Sequence, residues 1–390
     1  MLSQEDNERF TRVGRGTSGG ELLRRYWWPV GFADQVKGAK PVKTKLLGEE
    51  FVLFRDGKGR VGMLDLLCAH RRTTLVNGRV EKEGLRCCYH GWLFDVSGKC
   101  LDQPCEEEGS TFKDKVRQGA YPVEEKAGLI FAYIGPLPAP LLPKYDMHEH
   151  SSGKRVLWSN LNYCNWLQSV ENACDVSHIP WLHAGPYPGF AAKRPKITWT
   201  QTPWGLRWDI QIAGYNDVNT GDVIFPGGNR FASSRLGAAN ASALGDREQD
   251  ARQNFLYRVP VDDVTMRNFF IALYPDRSGR VEQITQGELS REVGVYATID
   301  DGWWGIASAD QDRAAIEGQG PVANRMTENL APSDRGVAMF RAMLREAMTA
   351  VEQGRDPMNV IHDPKDNHLV QFGTHQHDVV PPLHFAAAAE

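Results

Sequence analysis

Hydrophobic and polar positions alternate in short runs over most of the chain and take up a helical rhythm only near its end. Between Leu46 and Leu67 the apolar runs FVLF (Phe51 to Phe54) and VGMLDLL flank a DGKGR turn, which predicts small antiparallel strands joined by tight turns. Leu129 to Ile134, inside AYPVEEKAGLIFAYIG, predicts a closing strand for this first region. Pro136 to Asp146 then carries four prolines in its first eight residues and proposes no regular structure, so a domain boundary is expected near residue 140, dividing 1–140 from 141–390. Beyond it, alternation returns in KITWTQTPWGLRWDIQIAGY, in FLYRVPVDDVTMRNFFIALYP and more weakly from Glu282 to Val295, which predicts one antiparallel sheet. Gly237 to Gln253 reads as a polar, Ala-rich excursion from that sheet. Val337, Phe340, Met343, Leu344 and Met348 recur at helical spacing behind Ser333, a plausible cap, and predict an amphipathic helix covering the sheet. The expected class is α+β.

The first 40 residues contain Gly14, Gly16 and Gly19 as G-x-G-x-x-G. A dinucleotide fingerprint needs a buried strand before the glycines and an acidic residue about twenty positions after them. QEDNERFTRV is too polar for that strand, and Asp34 lies in YWWPVGFADQV, where Pro29 and Gly31 interrupt the run that would be the second strand. The glycines therefore read as a turn before a short helix, followed by the aromatic cluster Tyr26, Trp27 and Trp28.

Composition changes this picture little. Apolar residues make up 41% and charged residues 24% of 390 positions, ordinary values for a soluble globular protein large enough for two cores. With 45 basic against 49 acidic residues, no basic face asks for nucleic acid. No run reaches the length of a membrane span and the N-terminus has no signal-peptide pattern, which points to the cytoplasm.

Cysteine usage changes it more. The seven cysteines, Cys68, Cys87, Cys88, Cys100, Cys105, Cys164 and Cys174, all lie in the first half and cluster near histidines, a pattern of metal or redox use. Cys68 and His70 form C-x-H, and Cys87 and His90 form C-x-x-H, with sixteen residues between His70 and Cys87. Two Cys and two His from two loops match the needs of a Rieske-type [2Fe–2S] centre, one iron on two thiolates and the other on two neutral imidazoles. Zinc also accepts two Cys and two His, but a zinc finger pairs C-x₂₋₄-C with H-x₃₋₅-H. Cys88 is expected to face away from its neighbour as a small packed side chain or weak sulfur contact.

The densest metal-capable stretch is ENACDVSHIPWLH, Glu171 to His183. Glu171, Asp175 and His178 follow at intervals of four and three, along one helical face, and Pro180 distorts or ends the helix before His183. Two histidines plus a carboxylate from elsewhere would make the facial triad of a mononuclear Fe(II) oxygenase. A buried helix with two hydrogen-bonded histidines is the alternative. The three histidines of GTHQHDVVPPLH, His375, His377 and His384, lack nearby Cys or a carboxylate pair and read as a tail or subunit contact.

With C-x-H, C-x-x-H-G-W and N-W-x-Q-x-x-E-N-x-x-D-x-x-H-x-x-x-x-H all present, the chain resembles the large (alpha) subunit of Rieske non-haem iron aromatic-ring oxygenases, in the phthalate-dioxygenase-like branch that includes aryl ether demethylases. The resemblance spans nearly the whole chain. It implies a small antiparallel-β Rieske domain followed by an antiparallel-sheet catalytic domain covered by helices, of helix-grip (START-like) type. It implies Cys68 and Cys87 on one cluster iron and His70 and His90 on the other. His178 and His183 match the histidine ligands of the mononuclear iron. The third ligand would be an aspartate in QDRAAIEGQ, with Asp312 chosen, Asp310 as substitute and Asp334 behind both.

Asp175 resembles the family's bridging acid, which would connect His90 of one subunit to His178 of the next, and a cyclic trimer follows from that. Glu171, Asn172, Asn165 and Gln168 are candidates to orient ligands. The family couples electron delivery from the cluster to oxygen activation at the mononuclear site. Because the chain's one glycine fingerprint fails its context, a separate reductase is implied, with NAD(P)H and a ferredoxin-type centre as its electron route. The branch acts on aromatic carboxylates and on methoxylated or ether-linked aromatics, so ring dihydroxylation and O-demethylation both stay open. Trp204, Trp208, Tyr215, Phe225 and Phe269 could line a pocket, and Arg207, Arg230 or Arg267 could pair with a substrate carboxylate. From another class, an electron-transfer protein using only its cluster remains the alternative.

Overall fold

The computed structural model describes residues 1–38, 40–183, 194–211, 218–232, 252–276, 278–289 and 308–372. Tyr215 and the three tail histidines lie outside the described residues, as does most of the Gly237 to Gln253 segment. Contacts divide the chain into two compact units, Arg24–Leu142 and Met1–Leu23 with Pro143–Glu390.

The Arg24–Leu142 unit stacks three small antiparallel sheets. One orders strands Trp28–Phe32, Leu129–Ala132 and Val123–Lys126, a second Val42–Leu46, Glu49–Arg55, Val61–Asp65 and Ala120–Tyr121, and the third Arg79–Val80, Leu85–Arg86, Leu93–Phe94 and Cys100–Asp102. Phe51, Val52, Leu53 and Phe54 are all fully buried, which explains why this strand reads as an unbroken apolar run. Phe54, Leu64, Leu75, Leu85, Trp92 and Phe94 join in one core beneath Cys68 and Cys87. Burial of each such side chain contributes about 1.5–3 kcal/mol. Pro29 and Gly31, read as interruptions, lie within a true strand. That strand is at the sheet edge and shifts register between them, the setting in which proline is tolerated. Trp27 packs on Tyr133 and its indole N–H donates to the Pro140 carbonyl (2.8 Å), so the aromatic cluster closes this unit on itself.

The N-terminal segment departs from the sequence reading, which grouped residues 1–140 together. QEDNERFT is helix α1 (Gln4–Thr11), capped by Ser3 Oγ accepting from Asp6 N (3.0 Å). The glycine turn leads into α2 (Ser18–Leu23), with no strand before it. Both helices belong to the second unit because their apolar side chains, Phe10, Leu22 and Leu23, are buried there, and α2 packs on the C-terminal helix described below.

The second unit is built on an eight-stranded sheet. Its strands are β1 (Gly153–Asn162), β2 (Lys196–Thr202), β3 (Gly205–Gln211), β4 (Val218–Ile224), β5 (Gly228–Ala232), β6 (Gln253–Pro260), β7 (Met266–Tyr274) and β8 (Val281–Glu288), in spatial order β2-β3-β4-β5-β6-β7-β1-β8. Neighbours run antiparallel except β1 and β8, which pair in parallel. The sheet is therefore mixed at one edge rather than antiparallel throughout; alternation along a strand reports burial, not the direction of its neighbour. Around the sheet lie α3 (Asp146–Glu149), α4 (Trp166–Ala173), α5 (Ile179–Leu182), α6 (Ser308–Glu317) and α7 (Arg335–Glu352).

Helix α7 buries Val337, Phe340, Met343, Leu344 and Met348 as their spacing predicts. Its cap differs: a 3-10 turn over Pro332–Asp334 precedes it, and Asp334 Oδ2 accepts from Ala331 N (2.6 Å). Gly336 is required at the start of α7, because a Cβ there would meet Trp199 of β2 at 2.4 Å and the Cys174 carbonyl at 2.3 Å. No helix among the described residues is long and apolar enough to cross a membrane.

Candidate active site

Two places in the chain assemble metal-capable donors. In the first, Cys68 and His70 lie in the loop after strand Val61–Asp65, and Cys87 and His90 in the tight loop between strands Leu85–Arg86 and Leu93–Phe94. Each loop closes on itself: Cys68 N donates to Thr73 O (2.8 Å) and Arg72 N to Cys68 O (3.0 Å), while Cys87 N donates to Trp92 O (2.8 Å) and Gly91 N to Cys87 O (3.1 Å). Gly91 holds φ +73, and a Cβ there would stand 2.7 Å from Pro104, so this turn takes only glycine. The His70 and His90 rings lie 4.5 Å apart, and Trp92 stacks on His70 at 4.2 Å.

The donor set fits a Rieske cluster. His70 Nδ1 is buried with no hydrogen-bond partner among the described residues, an unsatisfied nitrogen of the kind a ligand bond relieves. Burial pushes the Cys68 thiol up to about 12, and the adjacent Cys87 side chain opposes its ionisation further, so Cys68 becomes a thiolate only with a cation beside it. Burial, the neighbouring His90 and Arg71 lower the His70 pKa, keeping the imidazole neutral as ligation needs. Cys88 is exposed, contrary to the packed side chain expected.

Two supports of this site carry no metal-ligand motif and were missed in the sequence. Buried Gln118 accepts from Ala69 N (2.7 Å) and donates to Asp65 O (2.9 Å) and Leu67 O (3.1 Å), stitching the first loop from three sides. Arg86 bonds the Gly91 carbonyl, Asp102 Oδ2 (2.7 Å) and Glu81 Oε1 (2.7 Å), clamping the second. Its position next to Cys87 was the one available signal.

The second place lies in the other unit. Helix α4, capped by Asn165, ends at Ala173, and a 3-10 turn, Val176–His178, then passes into α5, with Pro180 in its first turn. This break turns both imidazoles toward α6. His178 Nε2 and His183 Nε2 stand 3.4 Å and 3.3 Å from Asp312 Oδ1, and the three donors could hold one metal ion. Each Nδ1 is engaged elsewhere: His178 Nδ1 with the Asp175 carbonyl, His183 Nδ1 with Gln311 Oε1 (2.7 Å). Both Nε2 atoms are thereby turned to the shared centre. Burial opposes charge on His178, but the hydrogen bond and field of Asp312 outweigh it and raise its pKa. Burial likewise opposes charge on Asp312, but hydrogen bonds from His178 and His183 hold its carboxyl far below the ordinary range. The side chains of His178 and Asp312 remain 21% and 30% exposed, so the triad is not sealed from its surroundings.

The other sequence candidates separate clearly. Asn172 Nδ2 donates to Asp312 Oδ1 (3.2 Å) and joins the triad. Asp175 caps the 3-10 turn, its Oδ1 accepting from Ser177 N (2.9 Å). Asp310 pairs with Arg313, away from the triad, and Asp334 caps its own turn. Asn165 does not join the site: its Oδ1 caps α4 through Leu167 N (3.1 Å), and its Nδ2 ties down Thr11 O (2.8 Å) and Asp263 O (2.7 Å).

Glu171 is consumed by Arg325 (2.7 Å) and Arg341 (2.6 Å), because a carboxylate beside two nearly buried guanidiniums serves as their counter-charge. Gln168 donates to Ile316 O (2.8 Å) and Gly320 O (2.9 Å), locking the end of α6 to α4 and so carrying Asp312 into place. Arg207 is paired with buried Asp222 (3.0 Å), Arg230 with buried Asp146 (3.7 Å) and Arg267 with Glu288 (2.8 Å), so each arginine already has a carboxylate partner. Trp204 donates to Asp222 (3.1 Å), Phe225 packs on Phe340, and Trp208 and Phe269 are buried in strands of the sheet.

The Rieske [2Fe-2S] domain model matches residues 26–119. Over 97% of its length the chain is 35% identical to the 5,5'-dehydrodivanillate O-demethylase oxygenase subunit of Sphingobium sp. (strain NBRC 103272 / SYK-6), covering 88% of that protein. It is 34% identical over 91% of its length to the phenoxybenzoate dioxygenase subunit alpha of Ectopseudomonas oleovorans, covering 87% of it. In fold it is similar to Pseudomonas putida CBB5 NdmA with caffeine, at TM-score 0.67 and 22% identity, covering 86% of this chain and 94% of that one. A Rieske domain joined in one chain to a His-His-Asp triad, with these relatives across nearly its whole length, identifies the protein as a Rieske non-haem iron oxygenase, a member of the large-subunit family of phthalate and phenoxybenzoate dioxygenases.

Proposed function

We propose that this chain is the terminal component that oxidises an aromatic carboxylate or a methoxylated or ether-linked aromatic, using O₂ and electrons from a separate reductase. The observation that carries the reading is the presence, in one chain, of the two Cys-His loops and the His178, His183 and Asp312 triad. When bound, the [2Fe–2S] cluster supplies single electrons and the mononuclear Fe(II) supplies oxygen activation. Cys68 and Cys87 would hold one cluster iron, His70 and His90 the other, and the triad the mononuclear ion. Asn172, bonded to Asp312 Oδ1 (3.2 Å), would steady that carboxylate. The substrate class draws its support from the relatives named for dehydrodivanillate and phenoxybenzoate. A helix-grip arrangement of the second unit is part of the same reading.

Asp175 would bridge His90 of one subunit and His178 of the next, in a homotrimer. In favour of this, its Oδ1 is used locally while Oδ2 has no partner among the described residues. Asp175→Asn should leave both metal sites filled and slow product formation more than a hundredfold; normal turnover removes the bridge.

The test of function is product analysis under ¹⁸O₂ with a compatible reductase and mixed aromatic carboxylates and methoxyarenes. Two labelled oxygens in a dihydrodiol mark a ring dioxygenase. One in formaldehyde or its hydrate, released with a phenol, marks an O-demethylase once exchange with water is controlled. No oxidation of any arene by iron-replete protein would leave the cluster as an electron carrier only.

A further inference from the structure

We propose that Gln311 is the positioning residue for His183: it fixes which ring nitrogen faces the metal site, and so sets how tightly that site holds Fe(II). The proposal rests on the triad being the mononuclear iron site. Gln311 is fully buried on α6, and its Oε1 lies 2.7 Å from His183 Nδ1. In that orientation the amide oxygen can only accept, which fixes Nδ1 as the N–H donor and leaves Nε2, 3.3 Å from Asp312 Oδ1, as the nitrogen that offers its lone pair when a metal displaces that contact.

The two imidazoles are held differently. His178 Nδ1 meets the backbone carbonyl of Asp175, an acceptor that no side-chain substitution removes. His183 depends on a side-chain amide adjacent in sequence to the carboxylate of the triad. One turn of α6 therefore grips His183 at both nitrogens, Gln311 at Nδ1 and Asp312 at Nε2. A purely architectural duty for Gln311 is not needed to seat the helix, because Gln168 ties its C-terminal end to α4 and Asn172 bonds Asp312. Without an acceptor at Nδ1, the buried N–H is unsatisfied and the imidazole gains by moving its proton to Nε2, where Asp312 accepts it. That tautomer has no lone pair for the ion.

The experiment uses full-length protein with its cluster loaded, stripped of mononuclear iron by a chelator and titrated with Fe(II) in competition with that chelator. The visible bands of the cluster in each sample report that the rest of the molecule is intact. Gln311→Met, similar in size but without the acceptor, should weaken Fe(II) binding 10- to 100-fold with those bands unchanged. Gln311→Glu keeps an acceptor at the same reach and should bind Fe(II) at least as tightly as the parent protein. Parent-like affinity in the Met variant, or tenfold weaker binding in the Glu variant, overturns the role; the second criterion stands even if the Met variant does not fold. A parent protein that takes up no iron beyond two per chain instead sinks the triad reading on which the proposal rests.

Discussion

Cys68, His70, Cys87 and His90 are presented by two loops close together in sequence, whereas Asp312 reaches His178 and His183 only after the chain has built most of an eight-stranded sheet. The supports differ in the same way. The cluster loops are stitched by neighbours such as Arg86, Glu81 and Gln118, all within the same small unit. The triad is held by long-range ties: Gln168 to the end of α6, Asn172 to Asp312, and Glu171 to Arg325 and Arg341. A site whose donors and braces are local can keep its geometry while the rest of the protein changes. A site assembled from distant elements inherits the stability of the sheet and helices that carry it.

The sharpest way to break the comparison is to remove the distant carboxylate. Asp312→Ala takes the only carboxylate from the triad and leaves two imidazoles, so iron should fall from three to two per chain and turnover should be lost, at least a thousandfold. The visible spectrum of the cluster should stay unchanged. Iron analysis and absorbance on one sample check both halves; bleaching of the cluster bands would show that the two sites are not independently built.

This contrast also explains what could be read from the chain. C-x-H and C-x-x-H are complete statements of a local site, and the core that buries them draws on Val52 and Phe54 of the apolar run FVLF. His178 and His183 were readable from their shared motif, although the break that separates them from α4 comes at Ala173 and Pro180 instead opens α5. Asp310 and Asp312 were not separable, since two positions on a helix differ by rotation about its axis. Only the fold shows Asp310 turned to Arg313 and Asp312 to the histidines. Glu171 and Asn165 share the motif with the ligands and looked equally chemical, but one neutralises buried arginines and the other caps α4. Gln311 and Gln118 belong to no periodic or metal pattern, and a neutral amide gives no sequence sign of what it bonds. The parallel pairing of β1 and β8 was hidden because register and direction depend on connections, not on alternation.

The next largest effect tests the long-range braces. Glu171 is the shared partner of Arg325 and Arg341, whose side chains are 1% and 4% exposed. Glu171→Gln keeps the shape but removes the charge. Arg325 is then left with Asn7 and the Ala323 carbonyl, while Arg341 retains Glu328. Leaving a buried guanidinium without its counter-charge costs about 3–5 kcal/mol. Denaturant unfolding followed by probes in each unit should show the loss in the sheet-bearing unit, with the cluster bands bleaching at nearly the parental denaturant concentration. Equal losses in both units would mean that they unfold together and that local bracing gives the cluster no independence.

The smallest effect sharpens the local side of the comparison, through pH. Hydrogen bonds from Arg86 and Arg79 lower the Glu81 carboxyl from its ordinary 4.5 to about 2, against the opposing effect of burial. An acid depressed in the folded state stabilises that state fully above its unfolded pKa and loses the contribution as pH falls toward the folded value. The window is therefore about pH 4.5 down to 2. Because both side chains are partly solvated, the contribution is on the order of 1–2 kcal/mol rather than the full value of the shift. Glu81→Gln should thus destabilise the cluster unit by that amount at pH 6, read from the loss of the cluster bands in urea. The gap from the parent should narrow at pH 3.5, as the parent's own Glu81 approaches protonation in the unfolded state. A gap that stays constant between the two pH values would assign the brace to shape alone, and Arg86 would then hold the Cys87 loop through Gly91 and Asp102 without help from the charge on Glu81.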